Sequence, residues 1–202
     1  MNLEAEALTG GFAQPVFNAQ DIFRMVMDGM ARPGTLKQVA VDIDPPAPLG
    51  RAAGALALTL CDQDTPVWLS AGIARSAVPG WLAFHTGAPQ TREKAEARFA
   101  FGEVGLALSS FGLFATGSQE YPDRSATLVL EISNLETGAP LTLTGPGIAG
   151  STVVRPQGLP ESFLRLWAEN RTLFPRGIDV VLAAGRDFLC LPRTTKITVK
   201  EN

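Results

Sequence analysis

Cysteine and histidine are nearly missing from this sequence: Cys61, Cys190 and His85 are all it contains. A structural zinc site takes about four Cys or His ligands. These three side chains cannot build one alone, and no metal is expected. A cluster held by four thiolates is equally out of reach. The cysteines have no CxxC spacing, which excludes a dithiol redox motif. They read as buried small hydrophobes of a protein kept in a reducing compartment, the cytoplasm. There is also no block of lysine or arginine, and the formal charge is -3. Nothing here would neutralise a phosphate backbone, so nucleic acid is excluded as a partner. Long hydrophobic runs are absent too. The longest apolar stretch, residues 52–61, is half alanine and glycine, whereas a membrane span needs about twenty residues. Residues 1–11 carry Glu4 and Glu6 and no basic region ahead of an apolar run, unlike a secretory leader.

What is present suits a folded core. Of 202 residues, 46% are hydrophobic and 18% charged, and a chain of this length can bury roughly 70% of its extended surface. We expect a single domain across 1–202, with residues 1–14 as an N-terminal tail. Ile22, Val26 and Met30 recur at i, i+4 and i+8, predicting an amphipathic helix over 21–30 with Asn18 as its N-cap. Residues 36–43 read as extended, and 51–60 as a buried helix. Short strands are predicted at 66–69 and 81–84, and a polar helical window at 91–98. The near-continuous apolar run 126–132 suits a buried strand. A strand over 141–144, a helix over 161–174 opened by Pro160, and closing strands at 177–182 and 187–191 complete the order. This interleaving predicts an α/β fold with one mixed sheet flanked by helices.

Four motifs carry chemistry. Gly145-Pro146-Gly147-Ile148-Ala149-Gly150 matches GxGxxG, but the β-branched run 151–154 and Pro156 follow it. No helix N-terminus is supplied to hold a phosphate, so a tight turn is the better reading. His85, placed at the end of the 81–84 strand, is a candidate base or ligand contact, or a turn histidine bonded locally. The turn Glu120-Tyr121-Pro122-Asp123-Arg124-Ser125 concentrates polar groups before a buried strand. Arg124 can hold an oxyanion while Tyr121 and Asp123 orient it, or an Asp–Arg pair can simply brace the turn. In the run 167–179, Trp167, Asn170, Arg171 and Arg176 flank a helix-to-strand junction, where the arginines can share an anion or complement the helix dipole.

Taken in order, Phe23-Arg24 through Arg32-Pro33-Gly34, Asp64 to Leu69, Phe84 to Gly87, Glu120 to Thr127, Leu143 to Ile148, Trp167 to Asp179 and Leu191 to Thr195 resemble the H subunits of the bacterial carbon-phosphorus lyase system. The resemblance spans roughly residues 15–196. It implies a fold similar to pyridoxal-phosphate-dependent transferases without the cofactor, a homodimer, and a core complex with G, I and J subunits. That complex joins a phosphonate to the ribose of ATP, releases adenine, and leads to cleavage of the carbon-phosphorus bond. A Schiff-base lysine is needed for pyridoxal chemistry, and Lys37, Lys94, Lys196 and Lys200 occupy a strand, a charged window and the terminal tail. Two function classes follow. In one, Arg24, Arg32, Arg124, Arg171 and Arg176 line an anion or subunit surface with Tyr121 and Trp167 as anchors. In the other, His85 with Asp123 and Arg124 acts on a nucleotide-linked phosphonate. Convergence of these motifs in one cleft would favour a ligand site.

Overall fold

The computed structural model describes residues 7–199. Its centre is a seven-stranded sheet in the order β1-β9-β8-β5-β4-β2-β3. The strands are β1 (Lys37–Gln38), β2 (Val67–Leu69), β3 (Gln90–Thr91), β4 (Phe99–Gly102), β5 (Thr127–Glu131), β8 (Asp179–Ala184) and β9 (Asp187–Leu191). The five strands from β8 to β3 run parallel, and β9 and β1 extend the edge antiparallel. A mixed α/β architecture is therefore what forms. One feature differs from expectation: β6 (Leu141–Thr144), β7 (Thr152–Val154) and β10 (Lys196–Val199) make a separate three-stranded antiparallel sheet. Lys196 thus stands on a strand rather than in a tail, whereas Lys200 lies outside the described residues.

Alternation along the central strands explains the layers, because successive side chains point to opposite faces. Val67, Leu69, Phe101, Val129, Val181, Phe188 and Cys190 pack against α1 (Pro15–Ala31), α2 (Arg51–Leu60), α3 (Ala71–Ala74) and α4 (Val78–Thr86). Ala100, Leu128, Leu130, Val180, Leu182, Leu189 and Leu191 face the other way. There they meet α5 (Phe163–Thr172), the small sheet and the loop carrying Phe111 and Phe114. Helices thus flank the sheet on both sides.

Several local readings need correction. Residues 81–84 are helical, inside α4. Pro79 stands in its first turn and Gly87, in the left-handed region at φ 71°, closes it with an N–H to the Ala83 carbonyl. His85 consequently sits in the last turn of a helix, not at a strand end. The 91–98 window holds the end of β3 and a short 3₁₀ turn, Lys94–Glu96, in place of a helix. Of the 36–43 segment only β1 pairs. The helix expected over 21–30 starts at Pro15, and Asn18 lies inside it, its Oδ1 accepting the Gln14 N–H at 3.0 Å. The 1–14 tail is not free throughout, since the Thr9 carbonyl accepts the Trp81 indole N–H and the Gly10 carbonyl accepts the Asp44 N–H.

Cys61 and Cys190 are buried free thiols, and burial pushes each up to about 12. A thiol reagent such as DTNB is expected to leave both untouched in the folded protein and to titrate two after denaturation. Rapid labelling of the native chain would show that a thiol is reachable.

Candidate functional site: the arginine edge

Two of the motifs meet at the N-terminal edge of the parallel strands, and the residue that joins them is Arg193. This arginine follows β9 and reaches back across β8. Its Nε donates to Asp179 Oδ1 at 3.1 Å and its Nη2 to Asp179 Oδ2 at 2.5 Å. Nη1 donates to the Pro122 carbonyl at 2.9 Å and the Pro175 carbonyl at 3.4 Å, and Nη2 also reaches Ser125 Oγ. The planar fork fits this set because it offers five donors in fixed directions. The turn Pro122–Arg124 before β5 and the loop after α5 are thereby held side by side. The Gly177 N–H bonds the Thr116 carbonyl at 2.8 Å and adds a second tie.

On this scaffold the edge presents cations and aromatics. Arg124 lies with its guanidinium 4.2 Å from the centroid of the Tyr121 ring, and both residues are exposed. Phe174 is 63% exposed at the adjoining turn. Arg171 and Arg176 are half-buried, and neither these two nor Arg124 forms an ion pair among the described residues. The Arg176 Nε is buried without a hydrogen-bond partner. Asp123 is exposed in the same turn.

The remaining candidates are elsewhere. Trp167 is 1% exposed, stacks on Phe163 at 6.0 Å and donates its indole N–H to the Thr195 carbonyl at 2.9 Å. It is a core residue, not an anchor offered to a partner. Asn170 is buried and uses both ends of its amide on the Ile178 backbone, at 2.9 Å each, to fix the entry into β8. Arg24 sits on α1 and Arg32 caps its C-terminal end, on the opposite face of the sheet from α5, paired with Asp21 and Asp28. Hydrogen bonds from Lys37 and Arg32 hold the Asp28 carboxyl below its ordinary range. His85 is also on the α1 side, edge-on to Trp81 and Phe84, and shares no hydrogen bond or ion pair with Asp123 or Arg124. The motifs do not converge in one cleft.

The glycine-rich 145–150 segment is the β6–β7 turn, and no helix follows it. Gly147, at φ +81°, lies against the end of α1, where a Cβ would fall 2.0 Å from the Ala31 carbonyl oxygen. Its glycines serve close backbone packing. At the C-terminal ends of β2 and β4, where open parallel sheets usually receive a ligand, Glu103 accepts the Gly72 N–H at 3.1 Å. A Cβ on Gly72 would come within 1.9 Å of that carboxylate. A carboxylate of the chain itself thus takes that backbone N–H. Among the described residues no group of three or more His, Cys, Asp or Glu is placed to hold a metal, and no helix is long and apolar enough to cross a membrane.

The fold is that of a layered α/β protein with a mixed sheet flanked by helices, and the cations and aromatics of this edge lie at its surface. Comparison with known proteins specifies the kind: residues 10–198 match the family described as bacterial phosphonate metabolism protein (PhnH), and the chain belongs to that family. It is 56% identical over 197 residues, 98% of each chain, to the alpha-D-ribose 1-methylphosphonate 5-triphosphate synthase subunit PhnH of Rhizobium meliloti (strain 1021). It is also 38% identical over 84 residues, 42% of this chain and 43% of the other, to the putative C-P lyase subunit protein HtxG of Stutzerimonas stutzeri.

Sequence inspection missed Arg193 as the organising residue. The signal was available only as an Arg and an Asp, 193 and 179, each inside a recognised segment and each unexplained by its own neighbours.

Proposed function

We propose that this chain is a non-redox subunit of the complex that transfers a phosphonate to the ribose of ATP with release of adenine, in organic phosphonate catabolism. Its contribution is a docking face for the G, I and J subunits. The observation that carries the reading is the arginine edge: Tyr121, Arg124, Phe174 and Arg176 are the residue types that dominate binding energy at interfaces, and Arg193 holds their backbones in place. Near-complete alignment with a relative named as a synthase subunit supports the pathway. The catalytic alternative, in which His85 works with Asp123 and Arg124, finds no support because those groups are on different sides of the sheet.

The finer features follow as part of the same reading. The protein is a cytoplasmic homodimer with a sheet of the pyridoxal-transferase kind, a likeness supported by the parallel run β3-β2-β4-β5-β8. It works without pyridoxal phosphate. Lys37 is tied to Asp28, Lys94 lies over the Trp68 and Phe114 rings, and Lys196 is on an exposed strand. None is free to form a Schiff base inside a pocket, and the Gly72 N–H after β2 is already taken by the Glu103 carboxylate.

The test is co-purification with tagged G, I and J subunits. Arg124→Ala combined with Phe174→Ala is expected to reduce retention by about thirtyfold, the effect of losing one strong hot spot, with an unchanged circular dichroism spectrum. Titration of the free chain with ATP is expected to release no heat. Undiminished retention of the double variant, or strong ATP binding by the chain alone that Arg124→Ala abolishes, would replace docking with a ligand role.

A further inference from the structure

Phe99, Thr127 and Asp179 stand side by side at the starts of the adjacent parallel strands β4, β5 and β8. One arginine precedes each strand: Arg98 ahead of β4, Arg124 ahead of β5 and Arg176 ahead of β8, with Arg171 in the last turn of α5 just upstream. We propose, building on the docking reading above, that this row of arginines receives an acidic segment of a partner subunit, laid across the ends of the strands.

The cations are unclaimed by the chain itself. None of the four arginines forms an ion pair among the described residues, and the exposed acids of the neighbouring turns, Glu96, Glu120 and Asp123, leave them unpaired. The strand ladder fixes the backbone of Arg98, whose N–H donates to the Pro66 carbonyl at 2.8 Å and whose carbonyl accepts the Thr127 N–H at 3.0 Å. Its side chain is exposed. Arg124 lies over the Tyr121 ring, 4.2 Å from the centroid. A guanidinium stacked by its face keeps its N–H edges for an incoming carboxylate, which it binds bidentately.

Spacing and composition decide the occupant. Neighbouring strands lie about 4.8 Å apart, so the row extends over roughly 10 Å. That is wider than one phosphate or carboxylate group bridges, and it suits carboxylates spaced along a polypeptide. Tyr121 and Phe174, 52% and 63% exposed, stand among the cations. They supply the aromatic contact that a protein partner uses and a small free anion does not. Complementary charge of this kind steers association and fixes register more than it adds raw affinity. Asp62 and Asp64 are exposed ahead of β2, on the far side of β4. Like charges would meet there, so the acidic run of the partner ends before it reaches β2.

Arg98 supplies the test, because docking through Tyr121, Arg124 and Phe174 does not require it. Affinity of the full chain for immobilised, co-purified G, I and J subunits is measured by biolayer interferometry at about 50 mM and about 500 mM sodium chloride, between which the screening length falls from roughly 14 Å to roughly 4 Å. The wild type is expected to weaken about tenfold over this range. Arg98→Glu, at an exposed position that does not threaten folding, is expected to bind about tenfold more weakly than wild type at low salt, chiefly through slower association, and Arg98→Lys to bind like wild type. Arg75→Glu makes the same charge change at an exposed position beyond the opposite end of β2 and is expected to leave binding unchanged. A salt-independent affinity overturns the proposal, as does an Arg98→Glu variant that behaves like Arg75→Glu. Sodium phosphate that releases the partner more than chloride does at equal ionic strength also overturns it, by marking the row as a phosphate site. If the variant combining Arg124→Ala with Phe174→Ala binds undiminished, the docking reading itself fails. If that variant loses the partner while Arg98→Glu matches Arg75→Glu, docking stands and the acidic segment does not.

Discussion

Arg193→Ala is expected to cost about 3 kcal/mol of folding stability, a larger loss than any exposed arginine of the protein would produce. The side chain is 13% exposed and its partner Asp179 21% exposed, so this pair is far from the regime in which surface ion pairs contribute almost nothing. Removal of one partner from a buried, hydrogen-bonded pair typically costs about 3–5 kcal/mol, because the other charge stays behind without compensation. The lower end applies here, since some solvent reaches both groups. The same truncation strips a donor from the carbonyls of Pro122 and Pro175. In a chain of this size about 3 kcal/mol lowers the melting temperature by roughly 6–12 °C. Urea denaturation measures the loss directly. Adding Asp179→Asn to the variant removes the stranded charge and is expected to return part of it, although the Arg193 N–H still needs the acceptor at that position. A loss below about 1 kcal/mol would show that Arg193 is not what holds the edge together. The consequence for function is separable: Arg193 touches no partner in the docking reading, so its variant weakens assembly only as far as the 121–124 turn and the 173–176 loop drift apart.

That the edge depends on Arg193 also explains which parts of the molecule could be read from the sequence. α1 and α5 announce themselves through apolar residues at helical spacing, and β5 and β8 through continuous β-branched and leucine runs bounded by turn residues. α4 does not, because an apolar run as short as Trp81-Leu82-Ala83-Phe84 has no period. Pro79 and Gly87, the two boundary signals, were the better evidence. Strand alternation in Leu141-Thr142-Leu143-Thr144 shows that one face is buried but not which sheet the strand joins, so the small sheet stayed hidden. Trp167, which helical spacing already puts on an apolar face with Phe163, and Asn170 are also offered as contacts by residue type. Their spacing from Phe163, at i+4 and i+7, placed them on the buried stripe all along. Contacts that bring Arg193 to Pro122 and Pro175 cross 71 and 18 positions, and no local pattern encodes them.

Glu131 shows the same limit, as a single acid inside an apolar strand, and it carries the second large expected effect. It ends β5 in the middle of the sheet, 6% exposed, and its Oε1 accepts the Gly50 N–H at 2.5 Å, just before α2 begins. Burial raises its pKa from an ordinary 4.5 to about 7, against the opposing pull of the Gly50 N–H. A carboxyl that binds its proton more tightly in the folded than in the unfolded chain stabilises the fold at low pH. That contribution is complete below about pH 4.5 and is lost as pH rises through about 7, a change of about 3 kcal/mol. Glu131→Gln keeps an oxygen for the Gly50 N–H and cannot ionise. It is therefore expected to match the wild type near pH 4.5, to exceed it by about 2–3 kcal/mol near pH 8, and to lack the decline between them. Urea midpoints of both proteins across that range give the difference curve, in which every other titrating group cancels. Parallel curves would mean that Glu131 ionises as easily in the fold as in the unfolded chain. A crossing where the variant is weaker at high pH would mean that the carboxylate, seated at the start of α2, is stabilised by that helix end more than it is penalised by burial.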